Sequence, residues 1–439
     1  MVLAIILILL VACNVSADSE VYANMTLHSP IMSARVFLPY EDKPGDKQYY
    51  VGSRFEHGSM IGDFVFGHKI AYGRNMWRTP HDASWPESGV GLASEFGCGD
   101  DGPTCARKAS NGVLGYEAAK NGEPFLKIGV GALIKGSCPD CLDDPTDNYK
   151  FNSPYEFYRK PKWSTLPSSS KNEVKFVHEE SLGNVGYKIQ KTIRLEGNLM
   201  IVRTSLTNLG KERFSTPWYS HHFFTGDDDP VGLGYGIDLG LSEYGVRPSD
   251  PLFRQPGIGS WAEDFNIYAN VTRARDGSIS MKMSKPIPEG VRLKAEFLND
   301  QTITLTDGSF VLHAPNGLSI GERIPEVRTQ SRNPYLYAYN VYAERGTLSP
   351  EPILILYLQP AETAVWTQQL KFTSTIDARF RAPLLSVSLP SDYANFLHWR
   401  SALGVALCVT AFAIIYSFFI DTRRVDAYSP IPDATVFVV

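Results

Sequence analysis

The sequence predicts an all-β protein, with a large antiparallel β-sandwich ectodomain followed by one C-terminal transmembrane helix. Apolar and polar residues alternate with a period of two through much of the chain, and helical periodicity is scarce outside the two termini. The 439 residues include 36 glycines and 29 prolines, which supply turns between many strands. Because the ectodomain is longer than an immunoglobulin-like domain, one large sandwich is favoured. A division into two domains near residue 240 is the alternative.

The N-terminus has the pattern of a cleavable signal peptide. Residues 2–13 are apolar, and small residues follow at Val15 and Ala17. We place the signal peptide at residues 1–17 and expect cleavage after Ala17. The sandwich ectodomain then covers residues 18–378.

The clearest strand signal is a β-hairpin within residues 186–211. Apolar residues alternate from Tyr187 to Leu195, Gly197 and Asn198 form the expected turn, and the chain then returns as the partner strand. Because alternate side chains of a strand face opposite sides, one face of this hairpin is expected to cover a core. Similar strand patterns occur at residues 173–178, 302–306, 335–342, 352–358 and 364–372.

The C-terminal region has the pattern of a membrane anchor. We expect a stalk at residues 379–400 and a transmembrane helix at residues 401–420, since the latter contain no charged side chain. A helix of that length spans about 30 Å, the thickness of a bilayer core. The Arg423-Arg424 pair favours the cytoplasmic side, but Arg400 flanks the other end of the span. The signal peptide therefore sets the orientation, and residues 421–439 are expected to form a cytoplasmic tail.

These termini predict a single-pass type I membrane protein of the secretory pathway, in the endoplasmic reticulum, in the Golgi or at the cell surface. The chain ends in Phe437-Val438-Val439. Such an end is either a sorting signal or PDZ-type ligand that presents its terminal carboxylate, or an unstructured apolar end. The sequence leaves both possibilities open.

Cysteines and glycosylation sequons fit an oxidising, lumenal compartment. Two sequons, at Asn24 and Asn270, are predicted to carry glycans. An even number of lumenal cysteines predicts disulfides with three possible pairings, and a zinc site is a less favoured alternative. The CxxC pair is expected to staple a loop, because no thioredoxin-like pattern surrounds it. The four candidate cysteines are Cys98, Cys105, Cys138 and Cys141.

Several function classes are excluded by composition and motifs. A formal net charge of −5 argues against a nucleic-acid partner. The acidic runs at residues 143–148 and 227–229 are predicted to be surface turns, because neither has the spacing of a calcium loop. The sequence contains no Gly-rich phosphate loop, HExxH or GxSxG motif. We therefore expect neither a cofactor nor a metal ion.

The stretch TPWYSHHFFTGDDDP, residues 216–230, places two histidines in a predicted strand. Neighbouring residues of a strand face opposite ways, so only one of His221 and His222 can enter a given cleft. Tyr219 shares the face of His221, whereas Trp218 shares the face of His222.

Besides the hairpin within residues 186–211, five segments carry a resemblance to a known family. They are YYVGSRFEHGSMIGDF (49–64), LGYEAAKNGEPFLKIGVGAL (114–133), WYSHHFF (218–224), LSPEP (348–352) and YLQPAETAVWTQQLKF (357–372). In this order they resemble the galactose mutarotase-like superfamily of aldose 1-epimerases and hexose-phosphate epimerases, in a poorly characterised branch. The resemblance implies a large antiparallel β-sandwich. It does not cover the membrane anchor, and Ser220 stands where the family has an asparagine.

The resemblance also implies an acid and a base that open and reclose a sugar hemiacetal ring. By position, His221 matches the family's histidine acid, and Glu351 matches its glutamate base. Arg54 matches an arginine that holds sugar oxygens, as the fixed fork of a guanidinium can. Glu344 and Glu326 are the alternatives for the base.

Three further residues are candidates for sugar contact. His57 and His81 are candidates for the second sugar-contacting histidine that the resemblance implies. Tyr219 is expected to stack on the sugar face beside His221. His222 is expected to be a satisfied core imidazole.

The leading hypothesis is therefore a membrane-anchored, aldose 1-epimerase-like protein acting on a free sugar or a glycan reducing end. A carbohydrate-binding, lectin-like protein without catalysis is the alternative, and the missing asparagine favours it. A structural or trafficking protein that binds partners through its tail is a third reading.

Overall fold

A computed structural model describes most of the chain between residues 22 and 375. The described residues are 22–39, 47–72, 82–85, 91–97, 112–139, 141–143, 148–168, 170–240, 265–273, 278–298, 309–329 and 335–375. These residues form β-strands and turns, with short 3-10 turns at His57–Ser59 and Phe265–Ile267. The predicted all-β fold is confirmed in this part of the chain.

The strands are numbered in chain order. They are β1 (Asn24–His28), β2 (Met32–Phe37), β3 (Ile61–Phe66), β4 (Lys69–Ala71), β5 (Leu92–Phe96), β6 (Pro124–Lys127), β7 (Gly131–Ile134), β8 (Phe157–Arg159), β9 (Trp163–Leu166), β10 (Glu173–Leu182), β11 (Val185–Glu196), β12 (Leu199–Asn208), β13 (Phe214–His222), β14 (Gly236–Leu239), β15 (Ala269–Arg273), β16 (Ile279–Met283), β17 (Arg292–Leu298), β18 (Phe310–His313), β19 (Leu318–Arg328), β20 (Tyr335–Glu344), β21 (Thr347–Leu358) and β22 (Thr363–Ser374).

The strands form two large sheets and one small sheet. The front sheet has the order β1-β2-β3-β5-β13-β21-β20-β17, with β4 paired to β3. The back sheet has the order β15-β16-β14-β18-β19-β22-β12-β11-β10-β9, and β6-β7-β8 form the small sheet. The strand pairs that build the front sheet around β13 and β21 are antiparallel, as predicted.

The front and back sheets enclose the main hydrophobic core. Phe64 of the front sheet stacks on Phe372 of the back sheet at a ring-centroid distance of 5.2 Å. Trp218 meets Trp366 edge to face, also at 5.2 Å. Large aromatic side chains from both sheets therefore interdigitate, which is the packing of a β-sandwich.

The hairpin predicted within residues 186–211 is confirmed. Strands β11 and β12 pair antiparallel up to Glu196 and Leu199, and Gly197 takes the left-handed conformation that the turn requires (φ 57°). Four of the other predicted runs lie in β10, β20, β21 and β22. The run at residues 302–306 lies outside the described residues.

Strand alternation gives the front sheet two different faces. Trp218 and the residues of its parity in β13 face the back sheet. The opposite face, called the outer face below, carries Tyr219, His221 and Phe223. A second, smaller apolar cluster covers part of it and includes Tyr50 and Phe55 from the segment before β3.

The described residues all belong to one compact unit of the chain, Met1–Ile376. The predicted signal peptide, stalk, transmembrane segment and tail all lie outside the described residues. Within the described ranges, no helix has the length and apolarity needed to cross a membrane.

Cys138 and Cys141 form a disulfide, the loop staple expected of the CxxC spacing. Cys138 is buried in a third apolar cluster beside the small sheet. Cys98 and Cys105 lie outside the described residues.

Candidate functional site

His221 and Glu351 face each other on the outer face of the front sheet. Strands β13 and β21 pair antiparallel up to Trp218 and Leu354, and an isolated bridge farther along keeps the same register. In that register His221 lies directly opposite Glu351. His221 Nε2 is 3.4 Å from Glu351 Oε1, and the exposed fractions of the two residues are only 2% and 7%.

Burial favours the uncharged form of the imidazole. Desolvation lowers the pKa of His221 well below its usual range, and the nearby charges of Arg54 and His222 lower it further. The ring stacks on Phe223 with centroids 4.1 Å apart, and the edge of Phe55 packs against it. These aromatic contacts fix the plane of the ring.

Burial also favours the uncharged form of the Glu351 carboxyl. Desolvation raises the pKa of Glu351 to about 7, and Glu95 adds to the rise. The positive charges of Arg54 and Lys294 and a hydrogen bond from Ser349 oppose it. A carboxyl that titrates near neutrality is suited to proton transfer.

Ser349 connects the carboxyl to the backbone of β13. The backbone N–H of His222 donates to Ser349 Oγ over 2.9 Å, and the hydroxyl donates to Glu351 Oε1 over 3.1 Å. The same Oγ lies 3.5 Å from His221 Nδ1. The Ser349 hydroxyl has one proton, which it donates to Glu351. Its oxygen lone pairs can therefore accept from the backbone N–H of His222 and from an N–H at His221 Nδ1.

Arg54 approaches the pair from the segment before β3. Its Nε donates to Glu95 Oε2 over 3.0 Å, and an Nη donates to the Tyr219 hydroxyl over 3.2 Å. The guanidinium lies between the rings of Phe55 and Phe151, 4.6 Å from each centroid. Hydrogen bonds and ring contacts therefore hold the guanidinium in one position.

Glu95 and Lys127 belong to the site but were not predicted from the sequence. Glu95, fully buried on β5, accepts hydrogen bonds from Arg54, from the hydroxyl of Tyr219 and from Lys127 Nζ at 3.0 Å. Lys127 also donates to the Tyr149 hydroxyl over 2.8 Å. Their signal in the sequence is a charged residue in a mostly apolar strand, within LASEF and at the end of PFLK.

The other three residues predicted to contact the sugar, Tyr219, His57 and His81, differ in their surroundings. The hydroxyl of Tyr219 donates to Glu95, and burial raises the pKa of Tyr219 well above its usual range. His57 is buried, with Nε2 2.8 Å from the carbonyl oxygen of Gly52, and desolvation lowers its pKa to about 4. His81 lies outside the described residues.

His222 belongs to a buried polar network between the sheets, as expected of a core imidazole. Its Nε2 is 2.8 Å from Glu322 Oε2, and its Nδ1 is 2.7 Å from the Tyr72 hydroxyl. Gln368 donates to both Glu322 and Ser220. The two adjacent histidines therefore serve opposite faces of one strand.

The alternative carboxylates are placed elsewhere. Glu326 belongs to β19 of the back sheet. Glu344 ends β20, where it accepts a hydrogen bond from the hydroxyl of Tyr342 over 3.2 Å. Glu351 contacts His221 directly.

Among the described residues, no group of three or more His, Cys, Asp or Glu side chains is arranged to hold a metal ion. The contacts described above bring together a histidine, a glutamate, an arginine held by a buried carboxylate, and aromatic rings. Such a set can move protons and hold polar oxygens.

Solved structures of low sequence identity are similar to the chain. No family model and no curated protein matches the sequence. The chain is similar to a proposed aldose 1-epimerase from Escherichia coli K12, with 12% identity, a TM-score of 0.41, and coverage of 80% of this chain and 99% of the other. Galactose mutarotase-like proteins from Lactobacillus casei and Clostridium acetobutylicum each show 10% identity over 80% of this chain. They are covered over 100% and 94% of their lengths, with TM-scores of 0.39 and 0.40.

Proposed function

We propose that the protein interconverts sugar anomers by acid–base catalysis, with His221 and Glu351 as the proton-transfer pair. The observation that carries this proposal is the pair itself, directly opposed on two neighbouring strands at 3.4 Å. Mutarotation needs one group that protonates the ring oxygen and another that takes the proton of the anomeric hydroxyl. The family resemblance of the surrounding motifs supports the same chemistry.

The reaction needs one proton on the pair. Imidazolium His221 donates to the ring oxygen as carboxylate Glu351 accepts from the anomeric hydroxyl. The C–O bond of the hemiacetal breaks, and the open-chain aldehyde forms. The pair then consists of neutral imidazole and neutral carboxyl, the forms that burial favours. Rotation about the C1–C2 bond and the reverse transfers close the ring to the other anomer.

Arg54 is the proposed anchor for sugar hydroxyls. Its guanidinium is already fixed by Glu95 and Tyr219, so little side-chain entropy is lost when a sugar binds. The rings of Phe55 and Phe151, each 4.6 Å from the guanidinium, hold it in this position.

Sugar binding without turnover is the second candidate function. It is favoured by the burial of both His221 and Glu351, which reduces the charged forms that catalysis requires. Both functions predict binding of a free sugar or a glycan end, and only the first predicts faster anomer exchange.

The proposed place of action is the lumenal or extracellular side of a membrane, with residues 401–420 as the anchor. The apolar N-terminus and the uncharged C-terminal stretch support it. Asn270, in an edge strand of the back sheet, is exposed as glycosylation requires. In cells, the anchored protein should resist carbonate extraction and gain mobility after endoglycosidase treatment. Release by carbonate with unchanged mobility contradicts the proposal.

NMR exchange spectroscopy of α- and β-anomers tests the catalytic proposal. The full-length chain in detergent is added to D-glucose, D-galactose and D-mannose, and the uncatalysed rate is the baseline. We expect acceleration that falls by at least about 100-fold in His221→Ala. His28→Ala, an exposed histidine on β1, is the matched control. Folded protein that binds sugar but accelerates none of the three supports the second candidate.

A further inference from the structure

Three polar side chains lie in a row across adjacent strands of the front sheet. His221 on β13 is opposite Glu351 on β21, and Glu351 is paired with Asn340 on β20. Directly paired residues point to the same side of a sheet, so all three are on the outer face. Glu351 stands in the middle of this row.

Asn340 has an unsatisfied polar atom at this position. The residue is 9% exposed, and its Oδ1 has no hydrogen-bond partner among the described residues. A buried acceptor in this condition is unusual in a folded protein, because it has lost its hydrogen bonds to water. An arriving ligand that donates to this oxygen removes the penalty.

We propose that Asn340 recognises the sugar hydroxyl next to the anomeric carbon, the 2-hydroxyl of a pyranose. This inference rests on the proposed function, since that function sets which sugar atoms meet His221 and Glu351. The ligand class is an aldose with a free 2-hydroxyl group.

The order of the row matches the order of oxygens around a pyranose. Neighbouring strands are about 4.8 Å apart, so side chains from three adjacent strands can converge on successive oxygens of one sugar ring. Along the ring, the ring oxygen and the 2-hydroxyl flank the anomeric centre. With His221 at the ring oxygen and Glu351 at the anomeric hydroxyl, the next oxygen on the side away from His221 is the 2-hydroxyl.

The chemistry of an amide suits this task. Asn340 Oδ1 accepts the hydroxyl proton, and the adjacent amide nitrogen is available to donate to a lone pair. A site built to pair with a hydroxyl discriminates strongly against the analogue without it, because the amide is then left unpaired again. The side chain thus selects a substrate and orients its reacting carbon.

The ratio of kcat/KM for D-glucose and 2-deoxy-D-glucose tests the proposal. In the wild-type full-length protein, we expect D-glucose to be favoured by about tenfold or more. In Asn340→Ala, the ratio should fall towards one because glucose loses most of its advantage. The kcat/KM for 6-deoxy-D-glucose, which keeps its 2-hydroxyl, should fall in Asn340→Ala by the same factor as that for D-glucose. Asn184→Ala, in an exposed turn, is the matched control with an unchanged ratio.

Thermal denaturation without sugar separates recognition from a structural role. If Asn340 supported the fold, Asn340→Ala would lower Tm. Removal of an unpaired buried acceptor is instead expected to leave Tm unchanged or higher. Asn340→Ser, which keeps a small acceptor, should retain part of the 2-hydroxyl preference. Equal loss on both sugars, or an unchanged ratio, overturns the proposal.

Sugar titrations by NMR keep this proposal distinguishable from the proposed function. If the wild type binds glucose without accelerating exchange, the ratio of Kd values replaces that of kcat/KM. A collapse of that ratio in Asn340→Ala supports the recognition role even though catalysis has failed. Acceleration with no effect of Asn340→Ala keeps the catalytic proposal and overturns this one. No binding of any aldose overturns both.

Discussion

The hydroxyl of Ser349 donates to Glu351 Oε1 over 3.1 Å, the same oxygen that lies 3.4 Å from His221 Nε2. This hydroxyl is itself held by the backbone N–H of His222 over 2.9 Å. The carboxyl is thus tied to the strand that carries its partner, and the orientation of the pair depends on two neighbouring strands.

The alkaline limb of the pH dependence of kcat/KM should reflect the titration of the Glu351 carboxyl. The active pair holds one proton, and deprotonation with a pKa of about 7 removes it, so the rate should fall above that pH. On the acid side, the second proton binds to His221, whose pKa is well below the usual range, and the profile should stay flat down to that region. A profile that rises through pH 8 contradicts this assignment.

Ser349→Ala should move the alkaline limb to higher pH. The hydrogen bond from Ser349 stabilises the charged carboxylate and lowers its pKa, so its loss raises the pKa by about half a unit. Ser349→Thr keeps the hydroxyl and should restore the profile. Ser220→Ala, on the same strand as His221 but facing the core, is the control. An equal shift in the control identifies a general packing effect.

Glu95→Gln should lower both the stability of the fold and the affinity for sugar. The substitution leaves Arg54 and Lys127 without this buried carboxylate, and loss of one member of a buried ion group costs about 3 kcal/mol. Urea denaturation measures the stability, and KM should rise because Arg54 loses its carboxylate partner. Glu179→Gln, from an exposed ion pair with Lys188, should change stability by less than about 0.5 kcal/mol.

Substitution of the two adjacent histidines should have different effects, with His222 needed for stability and His221 for activity. His222→Ala breaks the contacts to Glu322 and Tyr72 in the core and should lower the free energy of unfolding by about 2–4 kcal/mol. His221→Ala should lower it less, because the ring lies outside the main core, and should abolish activity. Comparable stability losses with activity retained in His221→Ala contradict the division of roles.

The features that follow from strand periodicity could be predicted from the sequence. Alternation placed His221 and His222 on opposite faces and assigned Tyr219 to the face of His221, and it located the hairpin of β11 and β12. The opposition of His221 and Glu351 needed the resemblance, because pairing between distant strands is not written in either strand alone.

The sequence did not reveal the residues whose roles come from tertiary contact. Glu95 and Lys127 meet across different sheets, and Asn340 is an ordinary polar residue within YLYAYNVYAE until its pairing with Glu351 is known. The buried pair of Glu56 and Lys191, 2.6 Å apart, is another such contact. A charged residue inside an apolar strand indicates a partner without identifying it.

A double-mutant cycle on anomer exchange tests the central claim most directly. Exchange rates of D-glucose anomers are measured for wild type, His221→Ala, Glu351→Gln and the double variant, each checked for folding by thermal denaturation. If the two groups act as one proton-transfer pair, each single variant loses at least about 100-fold and the double variant loses no more than either. Losses that multiply, or single variants as fast as wild type, contradict the claim.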